Sequence, residues 1–212
     1  MSIGAFEGTR YDDAAAMPAT AKQPARSSAL LLIDLINPLD FRCAAALLKR
    51  ALPAARAAGA LQARARRAGI PAIYVNDLFE SGARGLGDLL ERLRRRGGAC
   101  AALVDALPAD PARDHFIAKP QHSGFFRTEL EMLLGRLHVD HLILTGVAAD
   151  ICVLATAFDA RMRGFRLSVP RDCVAAESAE AELWALRQMT RVLGADVRPS
   201  VALPLAALGP AG

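Results

Sequence analysis

The sequence predicts an α/β fold, in which a mostly parallel six-stranded β-sheet is covered by helices on both faces. Short apolar runs alternate along the chain with longer amphipathic segments, which is the pattern of repeated βαβ units. Gly69 and Gly164 each follow a helical segment and directly precede an apolar run, as glycines do where a helix ends and a strand begins.

Five apolar runs predict strands, and a sixth candidate follows near the C-terminus. The strands are expected at residues 29–33, 72–76, 115–118, 141–145, 166–169 and 196–198. Helical periodicity predicts helices at residues 44–68, 87–96, 127–137, 151–163 and 179–193. We therefore expect an N-terminal arm over 1–28, one domain over 29–202 and a C-terminal tail over 203–212.

The composition makes the cytoplasm the expected location of the protein. No apolar run approaches the roughly 18 to 20 residues that span a bilayer, and the first residues lack the apolar core of a secretory signal. The four cysteines are widely separated and form no C-x-x-C pair, so neither a zinc site nor a disulfide framework is indicated. The net charge of +4 comes from arginines scattered over helical faces without a nucleic-acid motif. We expect neither a nucleic-acid nor a membrane partner.

Three reactive side chains follow predicted strands. Asp34 follows the first strand, Lys119 the third, and Cys152 follows the fourth after a turn at Gly146. Because ligands of open α/β sheets bind at the carboxyl ends of the strands, these side chains should face one edge. Asp150 is an acceptable N-cap for the helix that follows, so Cys152 would lie in a first turn, where the helix dipole favours a thiolate.

Each of these residues also has a plainer interpretation when taken alone. Asp34 could be a turn former, Lys119 a surface lysine before a proline, and Cys152 a small buried hydrophobe. Together they make chemical sense. A thiol with an ordinary pKa of about 8.5 needs a base to become a nucleophile at neutral pH, and a carboxylate can be that base while an ammonium holds it in place.

The motifs around these residues resemble those of the isochorismatase-like cysteine hydrolase superfamily, which includes nicotinamidases and carbamoylsarcosine amidases. The resemblance is carried by "LLLIDLIN", "FIAKPQHSGFF" and "LTGVAADICV", with support from "IYVND" and "RMRGFRLSVPRDCVAAES". It implies a three-layer, Rossmann-like α/β/α fold and a triad of Asp34, Lys119 and Cys152. It also implies a hydrolase that cleaves a small amide or carbamoyl compound through a thioester on the cysteine.

The resemblance further implies a cis peptide bond between Val147 and Ala148. The oxyanion hole would then consist of the backbone N–H groups of Ala148 and Cys152. Ala149 stands where many members have threonine, which leaves the triad complete. Nicotinamidases hold a metal through an Asp-x-His motif and a further histidine, but residues 76–81 here contain no histidine. We therefore expect no metal and no cofactor.

The substrate pocket is the least defined part of the prediction. Asn76, His122, Ser123 and Phe125 are candidates to line it. Asn76 and its neighbour Asp77 could equally fix a loop, Ser123 could cap a helix, and either Phe125 or Phe126 should pack in the core.

Two further expectations concern the whole molecule. The family resemblance and the Ala- and Leu-rich helices favour a homo-oligomer, a dimer or a tetramer. The competing function is a non-catalytic or redox-sensing binding protein that keeps the fold and a reactive thiol. The two functions differ in geometry, because the enzyme needs both Asp34 and Lys119 in contact with the Cys152 sulfur.

Overall fold

The computed structural model describes residues 27–36, 38, 44–77 and 85–209 of the 212-residue chain. Most of the arm predicted for 1–28, Cys43, the part of the histidine-free segment from residue 78 onward and the last three residues lie outside this range. Within it, no helix is both long enough and apolar enough to cross a membrane.

The described residues form six β-strands and seven α-helices. The strands are β1 (Ser27–Ile33), β2 (Ala72–Asp77), β3 (His115–Lys119), β4 (Val139–Val147), β5 (Arg166–Ser168) and β6 (Val174–Ala175). The helices are α1 (Ala44–Arg67), α2 (Leu86–Arg96), α3 (Gly98–Asp105), α4 (Leu130–Arg136), α5 (Leu154–Met162), α6 (Ala179–Leu193) and α7 (Leu205–Leu208).

The strands form one parallel sheet in the order β3-β2-β1-β4-β5, and β6 also pairs with β4. Alternate residues of β1 enter two different cores. Leu30 and Leu32 pack with α1, α2 and α3, whereas Leu31 and Ile33 pack with α4, α5 and α6. The sheet is therefore covered on both faces, and the predicted α/β class with a mostly parallel six-stranded sheet is confirmed.

The sixth strand is not where the sequence placed it. Asp196 forms only an isolated bridge with Ser168, and the strand is instead Val174–Ala175, opposite Gly146 and Val147 of β4. The reason is that β4 is longer than β5. β4 has nine residues and runs past the three-residue β5, so its last residues have free edge groups that β6 pairs with.

Two other features of the fold also differ from the prediction. Helix α3 was missed, because the glycine pair Gly97 and Gly98 that precedes it is more typical of a loop. The segment expected to be a free tail begins with Leu203 and Leu205, which are buried against α1 and its neighbours. The chain therefore stays packed on the domain as far as Leu208.

Candidate active site

Three strands bring Asp34, Lys119 and Cys152 together at the carboxyl edge of the sheet. Asp34 directly follows β1 and has a left-handed backbone, with φ of 50°. Its N–H donates to the carbonyl of Val75 in β2 at 2.9 Å. Lys119 is the last residue of β3, and Cys152 lies in a π-helical turn, Ala149–Val153, that joins β4 to α5.

The side chains of the three residues are in mutual contact and are almost inaccessible to water. Lys119 is 0% exposed, Asp34 3% and Cys152 7%. The Lys119 Nζ lies 2.8 Å from Oδ2 of Asp34 and donates to Sγ of Cys152 at 3.5 Å. An acid or base, a fixed cation and a potential nucleophile are thus assembled in one place.

The turn before Cys152 depends on Gly146. Its φ is 122°, and a Cβ at this position would lie 1.9 Å from the carbonyl oxygen of Ile33. The peptide bond between Val147 and Ala148 is cis. The helical segment begins with Ala148 as its N-cap, so the prediction that Asp150 caps it is wrong; Asp150 lies inside the first turn.

A fourth charged residue, Asp77, belongs to the same cluster. Its backbone N–H donates to Oδ1 of Asp34 at 2.9 Å, and its carboxylate accepts a hydrogen bond from the Lys119 ammonium. Sequence reasoning left Asp77 as either a substrate contact or a loop residue. The missing signal was strand register, which pairs Asp77 of β2 directly with Lys119 of β3.

Burial and the neighbouring charges set the protonation of the site. Burial raises the pKa of Asp34 against the lowering effect of Lys119, and the charge of Asp77 adds to the rise. The pKa of Lys119 is also raised, because the negative groups around it outweigh burial. Burial, followed by the carboxylate of Asp34, raises the pKa of Cys152 to about 12.

The raised pKa of Cys152 corrects one expectation. A cysteine in a first helical turn was expected to be held as a thiolate by the helix dipole. In this site burial and the negative charge of Asp34 instead raise the pKa of the thiol, and they outweigh the lowering effect of Lys119. The thiol therefore needs a base at the moment of attack.

His122 is the one predicted pocket residue that lies beside the sulfur. It is exposed, and its Nδ1 is 3.8 Å from Sγ of Cys152. His122 is thus an exposed side chain next to a sulfur that is itself buried with Asp34 and Lys119.

The other three predicted pocket residues support the structure around the site. Asn76 is 0% exposed and donates to the carbonyl of Ile36, so it holds the segment after β1. Ser123 donates to Asp159 and accepts from the N–H of Phe125. Phe125 is buried in the core, 6.0 Å from the ring of Phe165, whereas Phe126 is 45% exposed.

The loop that carries His122 is tied to the helix that follows Cys152. Thr156 of α5 accepts a hydrogen bond from the N–H of Gly124 at 3.0 Å and donates to the carbonyl of Cys152 at 2.7 Å. One hydroxyl thus links the loop to the backbone of the turn that carries Cys152.

The donor set at the site does not suit a metal ion. Within the described residues, Asp34, Asp77 and Cys152 are the group of potential ligands that lie close enough together, with ligand atoms within 4.8 Å. The ammonium of Lys119 contacts all three side chains and thus stands where a cation would bind. The group contains one cysteine and no histidine, whereas zinc sites in proteins are usually built from several imidazole or thiolate ligands.

Comparison with known proteins agrees with this architecture. An Isochorismatase domain matches residues 28–199. The chain is 36% identical to the uncharacterized isochorismatase family protein YaaI of Bacillus subtilis, over 80% of this chain and 92% of the relative. It is 34% identical to the ureidoacrylate amidohydrolase RutB of Yersinia enterocolitica, over 68% of this chain and 73% of the relative.

Solved structures show the same fold. The N-carbamoylsarcosine amidase of Thermoplasma acidophilum is 30% identical, with a TM-score of 0.63, and the match covers 84% of this chain and 99% of that one. The nicotinamidase SaPncA of Staphylococcus aureus is 28% identical with a TM-score of 0.63, covering 82% and 98% of the two chains. With the domain matched over most of its length and the fold in agreement, this chain belongs to the isochorismatase family.

Proposed function

We propose that the protein is a metal-independent cysteine amidohydrolase that cleaves a small amide or carbamoyl compound through a thioester on Cys152. The observation that carries this proposal is the buried ammonium of Lys119, which contacts both Asp34 and the sulfur of Cys152. It places a base, a nucleophile and a fixed positive charge within one hydrogen-bonding cluster. The relatives named as amidases and amidohydrolases support the reaction class.

The first half of the reaction forms the thioester. The carboxylate of Asp34 takes the proton of the Cys152 thiol, and Sγ bonds to the carbonyl carbon of the substrate. The carboxylic acid of Asp34 then gives this proton to the leaving nitrogen. The C–N bond breaks and ammonia or an amine departs.

The second half consumes one water. Asp34, again a carboxylate, removes a proton from a water molecule that occupies the place of the departed amine. The resulting hydroxide attacks the thioester carbon, the C–S bond breaks, and the sulfur regains its proton from Asp34. An amide and water are converted to a carboxylic acid and an amine, and the site returns to its starting state.

The oxyanion of each tetrahedral intermediate would be held by the backbone N–H groups of Ala148 and Cys152. Both residues stand at the start of the helical segment, where N–H groups lack helical partners. Lys119 contributes the positive charge beside the sulfur. We assign it no proton transfer, because the negative groups around it raise its pKa.

The same geometry argues against the competing function of a redox-sensing thiol. Such sensors rely on an exposed cysteine with a low pKa. Cys152 is buried, and its pKa is raised to about 12. A buried thiol beside a carboxylate suits base-assisted attack on a bound substrate better than capture of an oxidant from solution.

The substrate would enter past His122. The part of a small amide that lies next to the cluster should be uncharged or positively charged, because Asp34 and Asp77 give the cluster more negative than positive charge when Lys119 is its cation. The His122 ring, 3.8 Å from the sulfur, would contact the part of the substrate that faces solvent. The substrate would not touch Asn76, Ser123 or Phe125, which would support the residues that line the pocket.

We further propose that the protein works in the cytoplasm as a homo-oligomer. The three described cysteines are free, which suits a reducing compartment. Leu183 and Trp184 of α6 are 49% and 51% exposed, an apolar surface that a second copy could cover. The molar mass measured by light scattering at micromolar protein concentration should exceed the monomer mass of 22.5 kDa. A measured mass equal to that of the monomer would contradict the proposed oligomer.

Substitution of the triad tests the proposed function. A panel of small primary amides and carbamoyl compounds is screened by ammonia release. For the compound that is turned over, Lys119→Met should lower kcat steeply, since the variant removes the charge beside the sulfur and unpairs Asp34. His138→Asn, an exposed position away from the cluster, is the matched control. Turnover by Lys119→Met at the wild-type rate would contradict the proposal.

A further inference from the structure

We propose that Asp77 is a positioning residue of this site, whose carboxylate keeps the Lys119 ammonium charge-balanced while Asp34 takes up and returns the reaction's proton. The inference rests on the proposed hydrolytic function and adds a fourth residue to the triad. It arises from a contact that the triad chemistry does not require. A lysine that needed only one partner would be satisfied by Asp34.

Asp77 touches both charged members of the triad, by different atoms. Its backbone N–H donates to Oδ1 of Asp34 at 2.9 Å, while its carboxylate accepts from Nζ of Lys119. Direct pairing of Asp77 with Lys119 in the parallel register of β2 and β3 sets this arrangement. Asp77 therefore fixes the two side chains relative to one another.

The charge balance of the proposed reaction explains what the Asp77 carboxylate does. When Asp34 accepts the thiol proton it becomes neutral, and the negative charge passes to the sulfur and then to the substrate oxyanion, so the ammonium of Lys119 loses one of its two carboxylate counter-ions. Lys119 is 0% exposed, so an unpaired ammonium there would be strongly unfavourable. The carboxylate of Asp77 remains in contact and keeps the ammonium paired during this step.

Exposure separates the roles of the two carboxylates. The Asp77 side chain is 35% exposed, whereas that of Asp34 is 4% exposed. Water can reach the Asp77 carboxylate at the outer side of the Lys119 ammonium. Asp34 faces the thiol in a dry environment and is the group that exchanges the proton.

The effect of the Asp77 charge can be measured through the pKa of Asp34, which is surrounded by four titratable groups. Lys119 faces it from β3, Asp77 from β2 and Cys152 from the π-helical turn, and His122 lies beyond the sulfur. The negative charge of Asp77 raises the pKa of Asp34. Removing that charge should lower this pKa and make Asp34 a weaker base.

The test is Asp77→Asn, which removes the charge but keeps the size and the backbone N–H. With the best amide of the ammonia-release screen, kcat should fall roughly tenfold or more while KM changes little. The acidic limb of the kcat profile should move to lower pH, because the charge of Asp77 that raises the pKa of Asp34 is gone. Asp77→Glu should restore part of kcat, because it restores the charge.

Asp105→Asn is the matched control. Asp105 is an exposed residue of α3 that pairs with Arg94, so its amide variant should leave kcat and the pH profile unchanged.

Two outcomes would overturn the inference. One is Asp77→Asn with kcat within about twofold of the wild type. The other is a lower kcat with the acidic limb in place, which would indicate a merely structural role. Failure of the proposed function gives a different result, namely wild-type turnover by Lys119→Met, and the inference about Asp77 would fall with it.

Discussion

The ammonium nitrogen of Lys119 lies 3.5 Å from the sulfur of Cys152, and the thiol nevertheless has its pKa raised to about 12. A cation so close lowers the pKa of a thiol, but burial and the carboxylate of Asp34 act more strongly in the other direction. The nearby charge of Lys119 therefore does not create a resting thiolate. In the proposed mechanism it stabilises the sulfur anion once Asp34 has removed the proton.

Asp34→Asn should separate the reactivity of the thiol from catalysis. Without the negative charge of Asp34 the pKa of Cys152 falls, so iodoacetamide at pH 8 should alkylate this cysteine faster, by up to about tenfold per pKa unit. Hydrolysis should be lost in the same variant, because no group remains to carry the proton. Peptide mass spectrometry and ammonia release give the two rates.

Asp105→Asn serves as the control for alkylation, and it should match the wild type. An Asp34→Asn enzyme that hydrolyses normally would show that Asp34 is not the base. Slower alkylation of Cys152 than in the wild type would contradict the effect of the Asp34 charge on the pKa of the thiol.

Prolonged treatment with EDTA should leave the activity intact. The position that a metal ion would take between Asp34, Asp77 and Cys152 is filled by the Lys119 ammonium. Activity is measured by ammonia release before and after dialysis against the chelator. Loss of activity that zinc restores would contradict the metal-independent mechanism.

Acid should destabilise the fold through His141. This buried histidine bridges two strands, with Nδ1 2.9 Å from Oγ of Ser28 and Nε2 3.0 Å from Oγ of Ser168. Burial, helped by Arg166, lowers its pKa to about 4, whereas the unfolded chain has the ordinary value of 6.5. Between pH 6.5 and 4, His141 therefore binds a proton in the unfolded chain but not in the folded protein. The free energy of unfolding should fall between pH 6.5 and 4, by roughly 3 kcal/mol in total.

Denaturant titrations of wild type and His141→Gln at pH 7 and pH 4.5 measure this contribution. The variant should be less stable at pH 7, since it disturbs the two serine contacts, but it should lose less on acidification. His138→Asn, on the surface, is the control and should follow the wild type. An equal acid loss in His141→Gln would assign the effect to other groups.

Gly146→Ala should unfold or severely weaken the protein. The added Cβ would meet the carbonyl oxygen of Ile33 at 1.9 Å, and φ of 122° is unsuited to alanine. We expect a loss of at least about 3 kcal/mol in the free energy of unfolding. Gly135→Ala is the matched control, because nothing lies within 4 Å of its new Cβ in α4. That variant should be neutral or up to about 1 kcal/mol more stable.

The sequence was most informative where apolar runs are long and buried on both sides. The runs that became β1 and β4 are apolar over at least three consecutive residues, and the reactive residues at strand ends could be inferred from them. The two-residue β6 could not be predicted, because its pairing depends on how far β4 extends beyond β5. Pairing over such short stretches is decided by tertiary contacts.

The protonation of the site and the inclusion of Asp77 also escaped prediction, for a related reason. The ordinary helix-dipole rule favoured a thiolate at Cys152, but burial and Asp34 reverse the balance, and neither can be read from spacing alone. Asp77 is brought to Lys119 by strand register. Electrostatic properties of this kind depend on distances of a few ångströms between residues far apart in sequence.

The most direct test of the account is a search for the thioester itself. Wild-type protein is mixed with a turned-over amide, quenched with acid within one turnover, digested and examined by mass spectrometry. The peptide that contains Cys152 should carry the mass of the acyl group, and Cys152→Ala should show neither this adduct nor ammonia release. Ammonia release by Cys152→Ala at the wild-type rate would contradict the covalent mechanism.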